Sequence, residues 1–519
     1  MLFPLTLTAF ENYMLADDRA DQPMCFFLQL SFWGSLEQAA FRAAVSKTVS
    51  RHPLFHALVQ DVNGQPSWVG AKNTLPQITW DDEPTLTSGH SRIGGEATST
   101  GVAVHGPREG DRHIFPGTTL GNHPTTRDTF LEFAGKMSQS PARERLPAGY
   151  LDLSREVGIR LFVTHTDGQA RVLFQFHHAC TDGIGAVRFI EDLLAIYTSE
   201  QSDDAGPPRL APVNSATLRD RGRHGLGLLG RLLRLPIDSL AALGIAQFFF
   251  NRPRAIETPN APRSFNALRA QPTFVSRRVS QEQLRGLRST AKEEGVTVND
   301  LLVRDLMLSI DAWNARHNPT ARGGCTRITV PVNLRQPVDA TLPSTNAVSM
   351  VFVDRRVKDG TNPRRLLKSI RRDTFFVKTF RLALVFTWII ELLQAIRGGF
   401  AWMLGGEGCL ATAVLSNLGV QFDDLPLGYL GDRVIVGDAL LDKVDFLPPI
   451  RRGTNASLGV VTYAGELMIS LQYEPCVLST LVADDLLRLF DDQLAITAGR
   501  TPPTPESFHT SKPATVRVM

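Results

Sequence analysis

The stretch that sets the fold runs over residues 158–199 and reads GIRLFVTHTDGQARVLFQFHHACTDGIGAVRFIEDLLAIYTS. Two runs of alternating apolar residues flank Asp167 and Gly168, a pair typical of a tight turn, which predicts a β-hairpin. The next apolar side chains recur at the spacing of an amphipathic helix, at Val187, Ile190, Leu194 and Tyr197. Two adjacent histidines, His177 and His178, therefore lie at the junction between a strand and a helix.

Strands and helices alternate elsewhere in the chain as well, which predicts an α/β protein with mixed sheets. After a predicted strand at 25–33, Ser35 and Gln38 are spaced as the N-cap and N3 residues of a capping box. Ser280 and Gln283 repeat that spacing in the second half, which suggests two related lobes. Further elements are predicted at 298–314, 328–332, 348–353, 458–463, 467–473 and 481–493.

The predicted domain organisation follows changes in composition along the chain. Residues 1–200 form an N-terminal lobe, interrupted at about 83–149 by a low-order insertion rich in Gly, Thr, Ser, His and Pro. A polar connector with a basic, apolar segment spans 201–262. The C-terminal lobe is expected at 263–500 and a flexible tail at 501–519.

Composition excludes several classes of protein. The 55 basic and 52 acidic residues give a net charge of +3, too balanced for a nucleic-acid binder. The 5 cysteines are scattered and form no C-x-x-C pair, so neither a disulfide framework nor a zinc site is expected. Without a signal-peptide pattern, the protein is expected to be cytoplasmic. Three histidines of the insertion are interpreted as loop residues rather than metal ligands: His105, His113 and His123.

Residues 225–230 spell G-x-G-x-x-G, but no strand precedes them, so no dinucleotide cofactor is expected. The neighbouring residues 219–254 contain seven arginines and two aspartates. Together with the apolar stretch 380–404, this segment predicts contact with an anionic membrane surface or a cover over a lipid tunnel. The alternative is an ordinary core helix beside a solvated arginine flank. Arg381, Glu391 and Arg397 interrupt the apolar stretch, which argues against a membrane span.

The histidine pair carries the chemistry that the sequence predicts. An imidazole is partly neutral near pH 7 and can take a proton from a hydroxyl or amine, so His178 is a candidate general base. Asp182 could orient a histidine or pair with a cation to hold the turn, and the pairing is favoured. The alternative is that both histidines are satisfied residues near a strand end. Against this, the whole pattern arises by chance roughly once in a thousand chains of this length.

The stretch His177-His178-Ala-Cys-Thr-Asp182-Gly183 resembles the HHxxxDG motif of thioester-dependent acyltransferases. That superfamily includes chloramphenicol acetyltransferase, peptide-synthetase condensation domains and bacterial wax ester synthase/diacylglycerol acyltransferases. The wax ester synthase/diacylglycerol acyltransferase type is the most similar. That similarity rests on Thr297-Val-Asn-Asp300, Pro331-Val-Asn-Leu-Arg335, Ser416-Asn417 and Pro448-Pro449, whereas Arg51-His52-Pro53-Leu54 and Val296 are features shared with the superfamily as a whole.

The resemblance implies two chloramphenicol-acetyltransferase-like lobes in a pseudo-symmetric arrangement, with the active site in the cleft between them. It implies that His178 deprotonates the acceptor and that His177 supports the geometry. Asp182 would be structural and paired with Arg335. Gly183 would let the donor thioester approach closely.

The implied reaction transfers an acyl group from acyl-CoA to an alcohol, without a metal or a covalent acyl-enzyme. Such a transfer passes through a tetrahedral oxyanion, and Ser416 or Asn417 is a candidate to stabilise it. The acyl-CoA or acyl-carrier thioester is a co-substrate, so no cofactor is expected. Two alternatives remain: a condensation-type enzyme with a carrier-bound donor or an amine acceptor, and a catalytically silent module that holds a carrier protein or lipid.

Overall fold

In the computed structural model, the described residues are 2–71, 74–82, 144–145, 149–166, 168–201, 206–225, 230, 234–236, 239, 251–258, 273–318, 324–356, 361–406 and 408–499. Their elements lie in one compact unit formed by residues 1–83 and 143–519. The predicted tail and almost all of the predicted insertion, including its three histidines, lie outside the described residues. Those two predictions therefore stay predictions.

The first sheet contains the predicted hairpin. In spatial order its described strands are β13 (Tyr429–Leu430), β14 (Arg433–Val436), β15 (Ala439–Leu447), β2 (Cys25–Trp33), β8 (Gln169–His177), β7 (Ile159–Thr166) and β5 (Gln77–Asp82). Strands β7 and β8 pair antiparallel, from Ile159 opposite Phe176 to Thr166 opposite Gln169, which confirms the hairpin. Strand β2 is a nearly continuous apolar run because both of its faces are buried.

Three helices accompany this half of the fold: α1 (Ala9–Asp17), α2 (Gln38–Arg51) and α3 (Gly183–Glu200). The predicted capping box of Ser35 and Gln38 is wrong. Helix α2 begins at Gln38, and its N-cap is Glu37, whose carboxylate accepts hydrogen bonds from the amides of Ala39 and Ala40. A carboxylate satisfies two free N–H groups and complements the positive end of the helix dipole, which displaces the start from the serine.

A small antiparallel sheet lies beside this half of the fold. Its described strands are β1 (Leu5–Thr6), β4 (Gln65–Gly70) and β3 (Ala57–Val62). Strand β4 lies in the middle and pairs with both neighbours. It contributes the fully buried Trp68 to the core of the first half.

The second sheet is built mostly by the second half of the chain. In spatial order its described strands are β11 (Val348–Arg355), β10 (Thr326–Asn333), β12 (Ala413–Val420), β16 (Ala456–Tyr463), β17 (Glu466–Tyr473), β9 (Thr273–Val279) and β6 (Glu144–Arg145). The closing hairpin of β16 and β17 was predicted from sequence and is confirmed.

Helices of the second half pack on the second sheet and on one another. They are α4 (Gln281–Glu293), α5 (Val298–His317), α6 (Pro363–Thr379), α7 (Ala383–Ala395), α8 (Gly399–Leu404) and α9 (Thr480–Thr497). Ser280 caps α4 as predicted, accepting a 3.2 Å hydrogen bond from the amide of Gln283. The apolar stretch 380–404 divides into α7 and α8. Within the described part of the chain, no helix is both long and apolar enough to cross a membrane.

Strands are exchanged between the two halves. Strand β15 leaves the second half and pairs antiparallel with β2, from Leu447 opposite Phe27 to Leu440 opposite Trp33. In the opposite direction, β6 pairs with β9 of the second sheet. The fold class predicted from sequence, α/β with mixed sheets in two lobes, is confirmed, and the cleft lies between the two large sheets.

Candidate active site

The histidine motif forms the turn between β8 and α3. Strand β8 ends at His177 and helix α3 begins at Gly183. Asp182 is the N-cap of that helix, and its Oδ1 accepts a 2.8 Å hydrogen bond from the amide of Gly185. The aspartate therefore satisfies a free N–H at the helix start and fixes where the turn ends.

His178 is partly buried, and its backbone is held on both sides. Its amide donates to the carbonyl of Met24 over 2.7 Å, and its carbonyl accepts from Nδ2 of Asn346 over 2.6 Å. The imidazole packs edge-on against the ring of Phe26, with 5.2 Å between centroids. These contacts fix the position of the ring from both halves of the fold.

The protonation state of His178 suits a base. Burial lowers the pKa of its imidazole to about 4, against a weaker opposing effect from a hydrogen bond between the ring and the residue's own carbonyl. A neutral imidazole carries its proton on one ring nitrogen and keeps a lone pair on the other. At neutral pH the ring is therefore uncharged and can accept a proton.

His177 is fully buried and does not line the cavity that His178 lines. Its Nδ1 accepts a hydrogen bond from the amide of Ala179 over 3.1 Å, so Nε2 is the ring nitrogen that carries a proton. That nitrogen is 3.2 Å from Oδ2 of Asp18, whose Oδ1 accepts from the amide of Met24. His177 thus contacts the segment that leads into β2, which agrees with a supporting role.

The carboxylate of Asp182 is occupied by structural contacts. Oδ2 accepts from Nη1 of Arg335 over 2.8 Å and from the amide of Ala347 over 2.7 Å. Arg335 also donates to the carbonyl of Thr345 over 2.8 Å. The expected contact between Asp182 and Arg335 is present, and it ties the turn of one half to the strands of the other.

Residues 344–347 form a short segment before β11 that the sequence analysis did not single out. Two of its residues form hydrogen bonds with the histidine motif. Nδ2 of Asn346 donates to the carbonyl of His178, and the amide of Ala347 donates to Oδ2 of Asp182. Nδ2 of Asn346 also lies 3.3 Å from Nδ1 of His178. A few polar residues before an apolar strand are typical of an ordinary loop, so no sequence signal marked them.

Ser344, His52 and Asp192 align as a nucleophilic triad would. The ring of His52 lies 3.0 Å from Oγ of Ser344 and 3.1 Å from Oδ2 of Asp192. However, Ser344 donates its hydroxyl proton to the carbonyl of Gly185, and the triad lies buried outside the cavity wall. It is a buried hydrogen-bond network between the halves, not a nucleophile in reach of substrate.

A cavity of about 310 Å³ lies between the two sheets. Most of its lining is apolar: Phe10, Met14, Met24, Phe26, Val348, Met350, Phe352, Phe386, Ile389, Met403, Leu404, Leu418 and Phe446. The polar residues predicted from sequence share this wall: His178, Asp182, Arg335, Ser416 and Asn417. His178 is therefore open to the cavity, which disfavours a silent module in which that ring is blocked.

Gly183 has a packing reason to be glycine. A Cβ added there would lie 2.5 Å from Cδ2 of Leu418 and 3.5 Å from Cζ of Phe446. The predicted approach of a donor thioester at this position stays a prediction.

Asn417 is held by a local contact, because its Oδ1 accepts a hydrogen bond from the amide of Gly419. Among the described residues, no His, Cys, Asp and Glu side chains cluster as metal ligands would.

Comparisons with known proteins agree with this architecture. Residues 164–302 match the family model of the wax ester synthase/diacylglycerol acyltransferase catalytic domain. An uncharacterized protein of Mycobacterium tuberculosis is 26% identical over 259 residues, which cover 49% of this chain. The match spans about half of that relative, 54% of its length.

Solved structures of peptide-synthetase domains share the fold. The first condensation domain of the calcium-dependent antibiotic synthetase, in complex with a substrate analogue, aligns over 97% of this chain and 98% of its own, with a TM-score of 0.61 and 15% identity. The starter condensation domain of rhizomide synthetase, in complex with C8-CoA, aligns over 96% of both chains, with a TM-score of 0.60 and 12% identity. The fold expected from the histidine motif is thus confirmed, and residues 164–302 match the model of the family that the motif resembles.

Proposed function

We propose that this protein is an acyltransferase that moves an acyl group from acyl-CoA to an alcohol, with His178 as the general base. The observation that carries the proposal is a neutral imidazole held in the wall of an apolar cavity between two lobes. The family match over residues 164–302 supports acyl transfer, and the complex of a structural relative with C8-CoA supports a thioester donor.

In this mechanism, the unprotonated ring nitrogen of His178 accepts the proton of the acceptor hydroxyl as the hydroxyl oxygen attacks the thioester carbonyl. The carbonyl π electrons move to oxygen and give a tetrahedral oxyanion, for which Ser416 or Asn417 is a candidate hydrogen-bond donor. When the intermediate collapses, the C–S bond breaks and the leaving thiolate takes the proton from the imidazolium. The apolar wall disfavours water, which would otherwise hydrolyse the thioester.

A condensation-type reaction is the second candidate, with a carrier-bound donor or an amine acceptor. The observation in its favour is the alignment of nearly the whole chain with a peptide-synthetase condensation domain. The same base would serve both reactions, because an amine and a hydroxyl each lose a proton on attack. The two candidates differ in which donor and which acceptor react.

The test is to incubate the purified protein with a panel of acyl-CoA and acyl-carrier thioesters, each with alcohols and with amines, and to identify the products by mass spectrometry. We expect an ester product, and free CoA released only when an alcohol is present. Amide products from carrier-bound donors would support the second candidate instead. Thiol release that is independent of any acceptor would contradict acyl transfer altogether.

The surface beside the cavity supports the predicted membrane contact. Large apolar side chains are exposed from the end of α6 to α8: Phe375, Phe376, Phe380, Leu392, Ile396 and Trp402. Helix α6 carries six basic residues and one acidic residue, which complements an anionic lipid surface. The basic segment reaches the same place, because Arg234 donates to the carbonyl of Phe380. We propose that this apolar, basic surface docks on anionic lipid.

Vesicle flotation tests this docking. The protein is expected to float with anionic vesicles at low salt and much less with neutral vesicles, because the contact combines apolar burial with charge. Phe376→Ser combined with Trp402→Ser should reduce the floated fraction several-fold, since Trp402 is 68% exposed. Leu481→Ser, at a 79% exposed site on α9, is the matched control and should float normally. Equal flotation of both variants, or none of the native protein, contradicts the proposal.

A further inference from the structure

A guanidinium group in the wall of the cavity, that of Arg451, is held in place by Asp17 and Tyr13. Arg451 follows β15. Two of its nitrogen atoms contact Oδ2 of Asp17: Nε at 2.6 Å and Nη2 at 2.5 Å. Nη2 in addition donates to the hydroxyl of Tyr13, and the guanidinium stacks over that ring at 5.0 Å. The side chain is 15% exposed, so this charge is held in a largely dry site.

The third nitrogen of the guanidinium, Nη1, has a weaker contact than Nε and Nη2, which bind the oxygen atoms of Asp17 and Tyr13. Among the described residues, the contact of Nη1 is the thioether sulfur of Met350, 3.5 Å away. A thioether is a weak acceptor, whereas a charged N–H bonds oxygen strongly in a low-dielectric site. Arg451, Tyr13 and Met350 all line the cavity. The cavity therefore offers a fixed N–H edge that suits an oxygen atom.

The same short segment holds this edge and the histidine motif. Asp17 binds Arg451, and the next residue, Asp18, contacts His177 and accepts from the amide of Met24. The carbonyl of Met24 in turn accepts a hydrogen bond from the amide of His178. Two consecutive carboxylates at the end of α1 therefore fix the guanidinium and the base relative to each other. A fixed pair of this kind is what preorganised catalysis requires.

We propose that Nη1 of Arg451 binds the carbonyl oxygen of the acyl donor and stabilises the oxyanion that forms there. This inference rests on the proposed acyl transfer. As the acceptor oxygen attacks, the carbonyl π pair moves to oxygen, and Nη1 holds that charge while His178 takes the acceptor proton. Collapse returns the pair to the carbonyl and expels the thiolate, which recovers the proton. Arg451 stays protonated throughout, and Asp17 keeps it oriented.

The experiment compares Arg451→Met with Arg451→Lys and with the double variant Asp17→Asn/Arg451→Met. Arg451→Met should lower kcat by about 10²–10³-fold with little change in KM, as loss of one oxyanion donor does. Arg451→Lys should recover part of kcat by restoring a cation. The acid limb of kcat/KM should move to higher pH in Arg451→Met, because the positive charge of Arg451 helps to lower the pKa of His178.

The double variant separates catalysis from folding, because it removes the buried charge pair without leaving Asp17 unpaired. It should refold to near-native stability and remain slow. If it regains native kcat, Arg451 serves only to neutralise Asp17, and the inference is overturned. A matched control is Glu11→Gln/Arg221→Met, which removes another buried pair outside the cavity wall and should leave kcat unchanged. His178→Ala assayed in parallel identifies failure of the proposed function itself: if it stays fully active, the premise fails whatever Arg451 does.

Discussion

Replacing His178 with alanine is expected to lower kcat/KM by about 10²–10⁴-fold, the usual contribution of a general base. The loss should appear in the chemical step, because the base acts on the acceptor proton only as the bond forms. The measurement is release of free thiol from the acyl donor with and without acceptor. The ring is partly buried beside a cavity, so its removal should disturb the fold little.

The pH profile tests the same residue independently. Burial lowers the pKa of His178 to about 4, so the reactive neutral ring prevails above that pH and is lost as the pH falls through it. Native kcat/KM is therefore expected to be flat from neutral pH down to about 5 and to decline below it, and a stable His178→Gln variant should lack this limb. A limb near the ordinary imidazole value of about 6.5 would show a solvated ring. Full activity in His178→Ala would place the base elsewhere.

Breaking the pair of Asp182 and Arg335 is expected to lower the free energy of unfolding by about 3–5 kcal/mol, because it leaves a buried charge without its partner. Asp182 loses contacts to Arg335, Ala347 and Gly185 at once when it is replaced by alanine. The turn that carries His178 should then shift, so activity should fall as well. Urea unfolding of Asp182→Ala measures the first effect and thiol release the second.

A double-mutant cycle separates the interaction energy between Asp182 and Arg335 from the energy of their other contacts. Asp182→Asn/Arg335→Met should be less destabilised than the sum of the two single variants, since neither charge is then left alone. The surface pair of Lys47 and Glu200 is the control, and breaking it should cost at most about 1 kcal/mol. If Asp182→Ala costs no more than that control, the buried pair does not hold the two halves together.

Local patterns in the sequence were sufficient for most of the elements. The alternation at 158–177 and the helical spacing after Gly183 depend on burial of one face, which neighbouring residues report directly. The strand, the turn and the helix that carry His178 could therefore be placed before any coordinates. Ser416 and Asn417 were predicted as site residues because their sequence resembles a family motif, and the periodicity of the chain gave no sign of them.

Contacts between distant residues could not be predicted in this way. Asn346 lies 168 positions from His178, and neither residue carries a local sign of the other. The start of α2 at Gln38 was missed for a different reason. Ser35 and Glu37 are both competent caps, and their spacing does not show that the Glu37 carboxylate accepts two amide hydrogen bonds. Arg451 follows two prolines and looks like an ordinary loop residue, although it lines the cavity.

Strand β15 has a consequence for how the chain is made. Until residues 439–447 have been synthesised, the apolar strand Cys25–Trp33 has only one neighbour, and its other edge carries unpaired backbone groups. Such an edge recruits other chains, so a nascent or truncated polypeptide that stops before residue 439 is expected to aggregate. Because strand β15 covers that edge, a fragment that ends at the connector should become soluble when the missing half is supplied in trans.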